Sequence, residues 1–291
     1  MKPTEGILTA MVTPFTASGD LDLPAVRRLA SHLIDNGSHG IVVCGTTGES
    51  PTLSDAEDVT LVEAVRDEVG DRATVICGTG TNDTRHSVAL TAAARQAGAD
   101  ACLVTTPYYN KPTQDGLRLH YRAIAEVGLP VILYNIPSRV VINLDPDFLA
   151  ELAQIDGVDA VKQANNEQLA AIDGLDLLAG NDDGLLDCLL AGGTGGICVA
   201  SHLVGPQMRE LWEAARAGDE QRARDIDNDL REIYDVMGIL TNPIPVKAAL
   251  ALQGHCEPTM RLPMHPPGDE AREVLAQTLR RHGLLGDRTA A

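Results

Sequence analysis

Short runs rich in Val, Ile, Leu, Ala and Cys recur along most of the chain, at 7–12, 40–44, 73–77, 101–105, 130–134, 158–162, 175–179 and 196–200. Within each run the apolar stretch is nearly continuous rather than alternating. That is the pattern of parallel strands covered on both faces. Each run is followed by helical spacing. After the first, Val26, Leu29, Ala30, Leu33 and Ile34 share one helix face, with Asp22 as cap, Pro24 near the start and Gly37 as the stop. After the second, Ser54 and Glu57 form a capping box ahead of Val59, Leu61, Val62 and Val65. Further helices are predicted at about 82–97, 113–127, 146–154 (opened by Asp145-Pro146), 166–172, 183–191 and 206–217.

Eight strand–helix pairs over about 217 residues predict a (β/α)8 TIM barrel, class α/β. An open doubly wound sheet is the runner-up. It normally carries a Gly-rich first turn, whereas the first turn here reads Val12-Thr13-Pro14-Phe15. Past Gly218 the alternation stops. Ala223, Ile226, Leu230, Ile233 and Met237 mark one long amphipathic helix, and 246–252 and 270–279 read as two more. The expected organisation is a catalytic barrel, 1–218, and a helical extension, 219–291, packed on the barrel or on a neighbouring subunit.

Composition narrows the function. The chain has 291 residues, 44% hydrophobic and 22% charged, which suits a globular protein with a large core. Its net charge of −18 argues against nucleic acid or an anionic membrane surface as partner. No apolar run reaches the roughly 18 residues of a spanning helix, and Met1-Lys2-Pro3-Thr4-Glu5 lacks a signal-peptide pattern, so a cytoplasmic location is expected. The six cysteines are widely spaced without a C-x-x-C pair, and are read as reduced core residues rather than disulfides or zinc ligands. Of the 23 basic residues only four are lysines: Lys2, Lys111, Lys162 and Lys247. In a chain so biased to arginine, a lysine in an odd place calls for a reason.

Barrel chemistry sits at the C-terminal ends of the strands, and unusual residues fall there. The second strand runs into Gly45-Thr46-Thr47-Gly48-Glu49-Ser50, either a cradle of hydroxyls and backbone N–H groups for a small anion or a plain turn that needs glycine. Three of the five tyrosines lie in the loops after strands four and five: Tyr108 reads as a packing residue, Tyr109 and Tyr134 as phenol donors. Arg139, just beyond strand five, is a carboxylate ligand or a solvated surface arginine. Lys162 ends the buried sixth strand. Burial disfavours an ammonium, and an uncharged amine adds to carbonyls and forms Schiff bases, so a nucleophile is favoured over a lysine snorkelling to the rim. The run Gly192-Gly193-Thr194-Gly195-Gly196 keeps a phosphate site open, although no basic residue accompanies it.

Together these segments, with Asn242-Pro243-Ile244-Pro245-Val246-Lys247 and Arg261-Leu262-Pro263, resemble the dihydrodipicolinate synthase/N-acetylneuraminate lyase family of class I aldolases over about residues 6 to 264. The double threonine and Arg139 make the chain more similar to the synthases than to the lyases. The resemblance implies condensation of pyruvate with L-aspartate 4-semialdehyde to 4-hydroxy-tetrahydrodipicolinate, in lysine and diaminopimelate biosynthesis, with no cofactor and no metal. By that resemblance Lys162 forms the imine, Thr46 and Thr47 hold the pyruvate carboxylate, and Tyr134 moves protons. Thr46 links Tyr134 to Tyr109, Arg139 binds the semialdehyde carboxylate, and the backbone of Gly180 and Ile197 lines the pocket. The second tyrosine comes from a neighbouring subunit in the family, so a homotetramer of tight dimers is expected. Where lysine-inhibited members carry histidine and glutamate, this chain has Asp55, Asp58 and His86, so weak or no inhibition by lysine is expected. The alternative within the class is a 2-keto-3-deoxy sugar acid aldolase or an N-acetylneuraminate lyase. Outside it stand a non-catalytic binding barrel and a phosphate-binding sugar isomerase.

Overall fold

The computed structural model describes residues 2–286. Residue 1 and residues 287–291, the outer ends of the two expected domains, lie outside the described residues. Eight parallel strands close on themselves in sequence order: β1 Gly6–Ala10, β2 Gly40–Val43, β3 Thr74–Gly78, β4 Ala101–Thr105, β5 Val131–Asn135, β6 Val158–Gln163, β7 Asp176–Ala179 and β8 Gly195–Cys198. β8 pairs back onto β1, so no sheet edge is left open. The strands read as unbroken apolar runs because both faces are covered. Leu8, Val42, Ile76, Leu103, Ile132 and Leu178 fill the inside, while their alternating neighbours, such as Ile7, Ile41, Val75 and Cys102, pack outward under the helices.

Around the barrel run α1 Leu23–Asp35, α2 Asp55–Val69, α3 Thr84–Gln96, α4 Gln114–Ala125, α5 Pro137–Val140, α6 Pro146–Leu152, α7 Leu185–Leu190 and α8 Ser201–Arg216. The local signals act as expected. The Asp22 side chain accepts from Ala25 N–H, Asp145 accepts from Phe148 N–H, and Ser54 and Glu57 bond reciprocally. Gly37 follows α1 at φ +99, a conformation that favours glycine.

Two expectations need correction. The segment 166–172 forms no α-helix but a single 3₁₀ turn, Asn166–Gln168. Its asparagines bond elsewhere: Asn165 accepts from Glu167 N–H, and Asn166 Nδ2 donates to Asp183. Such side chains give a backbone an alternative to the helix. The helix expected from 206 begins at Ser201 and is kinked at Val204, just ahead of Pro206, which cannot donate to a preceding carbonyl.

The extension contains α9 Glu220–Met237, α10 Ile244–Leu252 and α11 Asp269–Arg281. α9 packs on α8, and α10 packs on α8, α9 and α11. The six cysteines are free thiols, five of them buried. Among the described residues no helix is long and apolar enough to cross a membrane.

Candidate active site

β5 and β6 set the centre of the site. Tyr134 and Lys162 are partners in the parallel register between the two strands, so their side chains leave the sheet on the same face. Both are buried, Lys162 at 5% exposure, and Lys162 Nζ lies 4.2 Å from the centroid of the Tyr134 ring. A cavity of about 720 Å³ at this barrel mouth is lined by Thr46, Thr47, Tyr134, Arg139, Lys162 and Gly180. Four strand ends or following loops, those of β2, β5, β6 and β7, therefore meet at this mouth. Gly180 is required by space: a Cβ there would lie 2.8 Å from the Ala164 backbone. Arg139 is exposed and donates from Nη2 to the Asn242 carbonyl at 3.1 Å, which aims its guanidinium across the mouth. A second cavity, of about 370 Å³, shares Thr46, Tyr134 and Arg139 and continues past Asp55, Asp58, His86 and Tyr108.

Two residues stand apart from the cavity around Lys162. Tyr109 is 90% exposed, at φ +74, and lines neither cavity. Ile197 is fully buried with Leu8, Ile132 and Tyr134 inside the barrel, and is not among the cavity-lining residues. Tyr108, read as a packing residue, is instead 42% exposed on the wall of the second cavity.

Three more residues join the cavity: Asp182 and Tyr234, which the sequence did not single out, and Asn242, which it marked only as part of a motif. The Asp182 carboxylate accepts from Val199 and Ala200 N–H at 2.8 and 2.9 Å. Burial pushes its carboxyl up, against the pull of those two bonds and of Lys162. Tyr234, from α9, lines the cavity with a buried hydroxyl that has no partner among the described residues, and burial raises its phenol. Asn242 donates from Nδ2 to Thr47 Oγ1 at 3.0 Å. A sequence signal existed for Asp182, an acid three residues beyond the end of β7. None marked Tyr234, whose helical spacing is that of an ordinary core residue.

The arrangement joins a buried amine, a phenol against it, two threonine hydroxyls and one guanidinium. That set can capture a keto acid as an imine and move a proton beside it. Among the described residues no three His, Cys, Asp or Glu side chains are placed to hold a metal ion.

Comparisons with known proteins agree with this geometry. A model of the "Dihydrodipicolinate synthetase family" matches residues 3–282. The 4-hydroxy-tetrahydrodipicolinate synthase of Synechococcus elongatus is 44% identical over 291 residues, covering 97% of this chain and 97% of the relative. The dihydrodipicolinate synthase structure from Aquifex aeolicus superposes with a TM-score of 0.94 at 38% identity, over 98% of this chain and 100% of that one. A chloride-inhibited dihydrodipicolinate synthase from Acinetobacter baumannii, complexed with pyruvate, superposes with a TM-score of 0.94 at 36% identity, over 97% of this chain and 100% of that one. With the family model spanning nearly its whole length, this chain belongs to the dihydrodipicolinate synthetase family.

Proposed function

We propose that this chain is a Schiff-base-forming lyase that condenses pyruvate with L-aspartate 4-semialdehyde to 4-hydroxy-tetrahydrodipicolinate, with Lys162 as the nucleophile. The observation that carries this reading is the buried Lys162 amine against the Tyr134 ring, in one cavity with Thr46, Thr47 and Arg139. The uncharged amine adds to the pyruvate ketone, and loss of water leaves an iminium. The iminium draws electrons from the neighbouring carbon, so the pyruvate methyl gives up a proton and becomes an enamine nucleophile. The enamine carbon attacks the aldehyde carbon, and the new alkoxide takes a proton. The semialdehyde's own amine then attacks the imine carbon, closing a six-membered ring and releasing Lys162.

Thr46 and Thr47 hold the pyruvate carboxylate, and Arg139 that of the semialdehyde. Tyr134 carries the protons, Gly180 contributes backbone to the pocket, and Ile197 packs with Tyr134 inside the barrel. Tyr109 completes a relay through Thr46 from a second copy of the chain; its exposure here leaves it free to reach out. A homotetramer of tight dimers is the assembly proposed on that basis. The helical extension belongs to the catalytic unit, because Tyr234 and Asn242 line the cavity.

The test is borohydride reduction with pyruvate, followed by intact mass and peptide mapping. One adduct per chain on the Lys162 peptide, absent in Lys162→Ala, is expected. An adduct elsewhere, or none, would overturn the assignment. Turnover with L-aspartate 4-semialdehyde against three-carbon and six-carbon sugar aldehydes then separates the synthase from the sugar acid aldolase and N-acetylneuraminate lyase readings.

A further inference from the structure

Lys162 has a counterpart that the chemistry above leaves unused. Lys247 is also buried, at 0% exposure, in a chain that otherwise uses arginine for most of its positive charge. Its Nζ donates to Glu49 Oε1 at 2.5 Å, and the second Glu49 oxygen accepts from Arg261 N–H at 3.1 Å. The Phe15 ring contacts both cations, 4.2 Å from Lys247 Nζ and 4.4 Å from Arg261 Cζ. A buried ion pair is weak evidence for stability, since apolar residues of similar volume often serve as well. Its position suggests another purpose.

Glu49 belongs to the turn that presents Thr46 and Thr47. Its backbone is left-handed, φ 59 and ψ 36, a conformation that disfavours any side chain. Glu49 N–H donates to the Thr46 carbonyl and Gly48 N–H to the Gly45 carbonyl, so the side-chain anchor of Glu49 and the shape of the threonine turn are one structure. A second tie comes from the same part of the extension. Asn242, immediately ahead of α10, bonds Thr47 Oγ1, and Lys247 lies within α10. The lead-in to α10 and α10 itself therefore grip the turn at one point each.

We propose that Glu49 and Lys247 are a positioning pair that holds the Thr46–Thr47 turn in its anion-binding shape and cancels the Glu49 charge beside an incoming carboxylate. This rests on the pyruvate reading above. The carboxylate contact is equally good in the ground and transition states, so losing it raises the pyruvate KM, and kcat falls only as far as the Thr46 relay is also disturbed.

The experiment uses the full chain and two variants. Glu49→Leu/Lys247→Met removes the anchor without leaving a buried charge, and remains usable where a single variant fails to fold. Lys247→Met leaves the carboxylate uncompensated. The double variant is expected to raise the pyruvate KM about tenfold, the scale of one charge-assisted contact. Its kcat should fall less than that of Tyr134→Phe, and its semialdehyde KM should stay within about threefold of wild type. Half-saturation of borohydride trapping should shift by the same factor as the pyruvate KM, and Lys247→Met should show a larger shift than the double variant. A folded double variant with wild-type pyruvate half-saturation would make the pair purely structural and overturn the proposal. A wild-type chain that forms no pyruvate adduct would instead overturn the reading beneath it.

Discussion

Tyr134 and Lys162 are direct partners across β5 and β6, with the lysine nitrogen 4.2 Å from the centre of the phenol ring. Parallel register makes this pairing rigid, because a slip of one residue would turn either side chain to the opposite face. Tyr134→Phe keeps the wall of the cavity and removes only the hydroxyl. It should lower kcat on the order of 10²-fold, the scale of one general acid–base group, while borohydride trapping on Lys162 still occurs, more slowly. A kcat within threefold of wild type would assign the proton transfers to another group.

Tyr109 sets up a different test. Its ring is 90% exposed and lies outside both cavities, although the proposed relay needs it near Thr46. If a second copy receives it, Tyr109→Phe and Lys162→Ala chains should each be nearly inactive alone. Unfolded and refolded together, they should regain about a quarter of wild-type turnover on random pairing into two-fold dimers. No recovery, with mixed dimers shown by mass, would remove Tyr109 from the neighbour's site.

The barrel was legible because parallel strands buried on both faces leave continuous apolar runs, and because Asp22, Ser54 and Asp145 cap their helices as isolated signals predict. The segment 166–172 misled because Asn165 and Asn166 satisfy backbone and neighbouring loops instead of continuing a helix. In the site, residues at or shortly past a strand end could be found, since fold arithmetic alone sends them to the mouth. Lys162 also stood out through the scarcity of lysine. Contributions from the extension could not be found this way. Glu49 and Lys247 are 198 positions apart, and only the docking of α10 makes them neighbours. Tyr234 faces the cavity because of how α9 meets the barrel, which helical spacing does not encode.

Lysine inhibition is a separate matter of the second cavity. Its wall carries the Asp55–His86 pair, Nε2 to Oδ1 at 2.9 Å, and the Asp58 carboxyl. Burial, with Asp55 and Glu57 adding to it, pushes Asp58 up to about 6. Asp55 and His86 bond one another, whereas Asp58 Oδ1 is buried with no hydrogen-bond partner among the described residues, and this wall differs from the histidine and glutamate expected of lysine-inhibited members. Initial rates at pyruvate concentrations near KM should therefore change little across sub-millimolar L-lysine. Strong inhibition in that range would show that the altered wall still recognises the amino acid.

Acid stability follows from His202, which is buried at the start of α8. Its Nε2 accepts from Val12 N–H at 3.2 Å and its Nδ1 donates to the Val199 carbonyl at 2.8 Å, so both nitrogens are committed in the neutral ring. Burial lowers it to about 4, with His32 and His255 adding to the effect against the Val199 bond. The folded value lies below the unfolded value of 6.5, so on acidification the unfolded chain takes the proton first. The contribution is complete above about pH 6.5 and is lost as pH falls towards about 4, reaching about 2–3 kcal/mol across that window. His120, also lowered to about 4 by burial, acts in the same direction. Asp58 opposes them, because a carboxyl raised to about 6 favours the folded state as pH falls below that value. The His202 share is isolated by His202→Asn, which bonds without titrating. Wild type should lose Tm more steeply than the variant between pH 6.5 and 4.5, with nearly parallel curves above pH 7. Equal slopes in the acid limb would mean that His202 takes up its proton without unfolding cost.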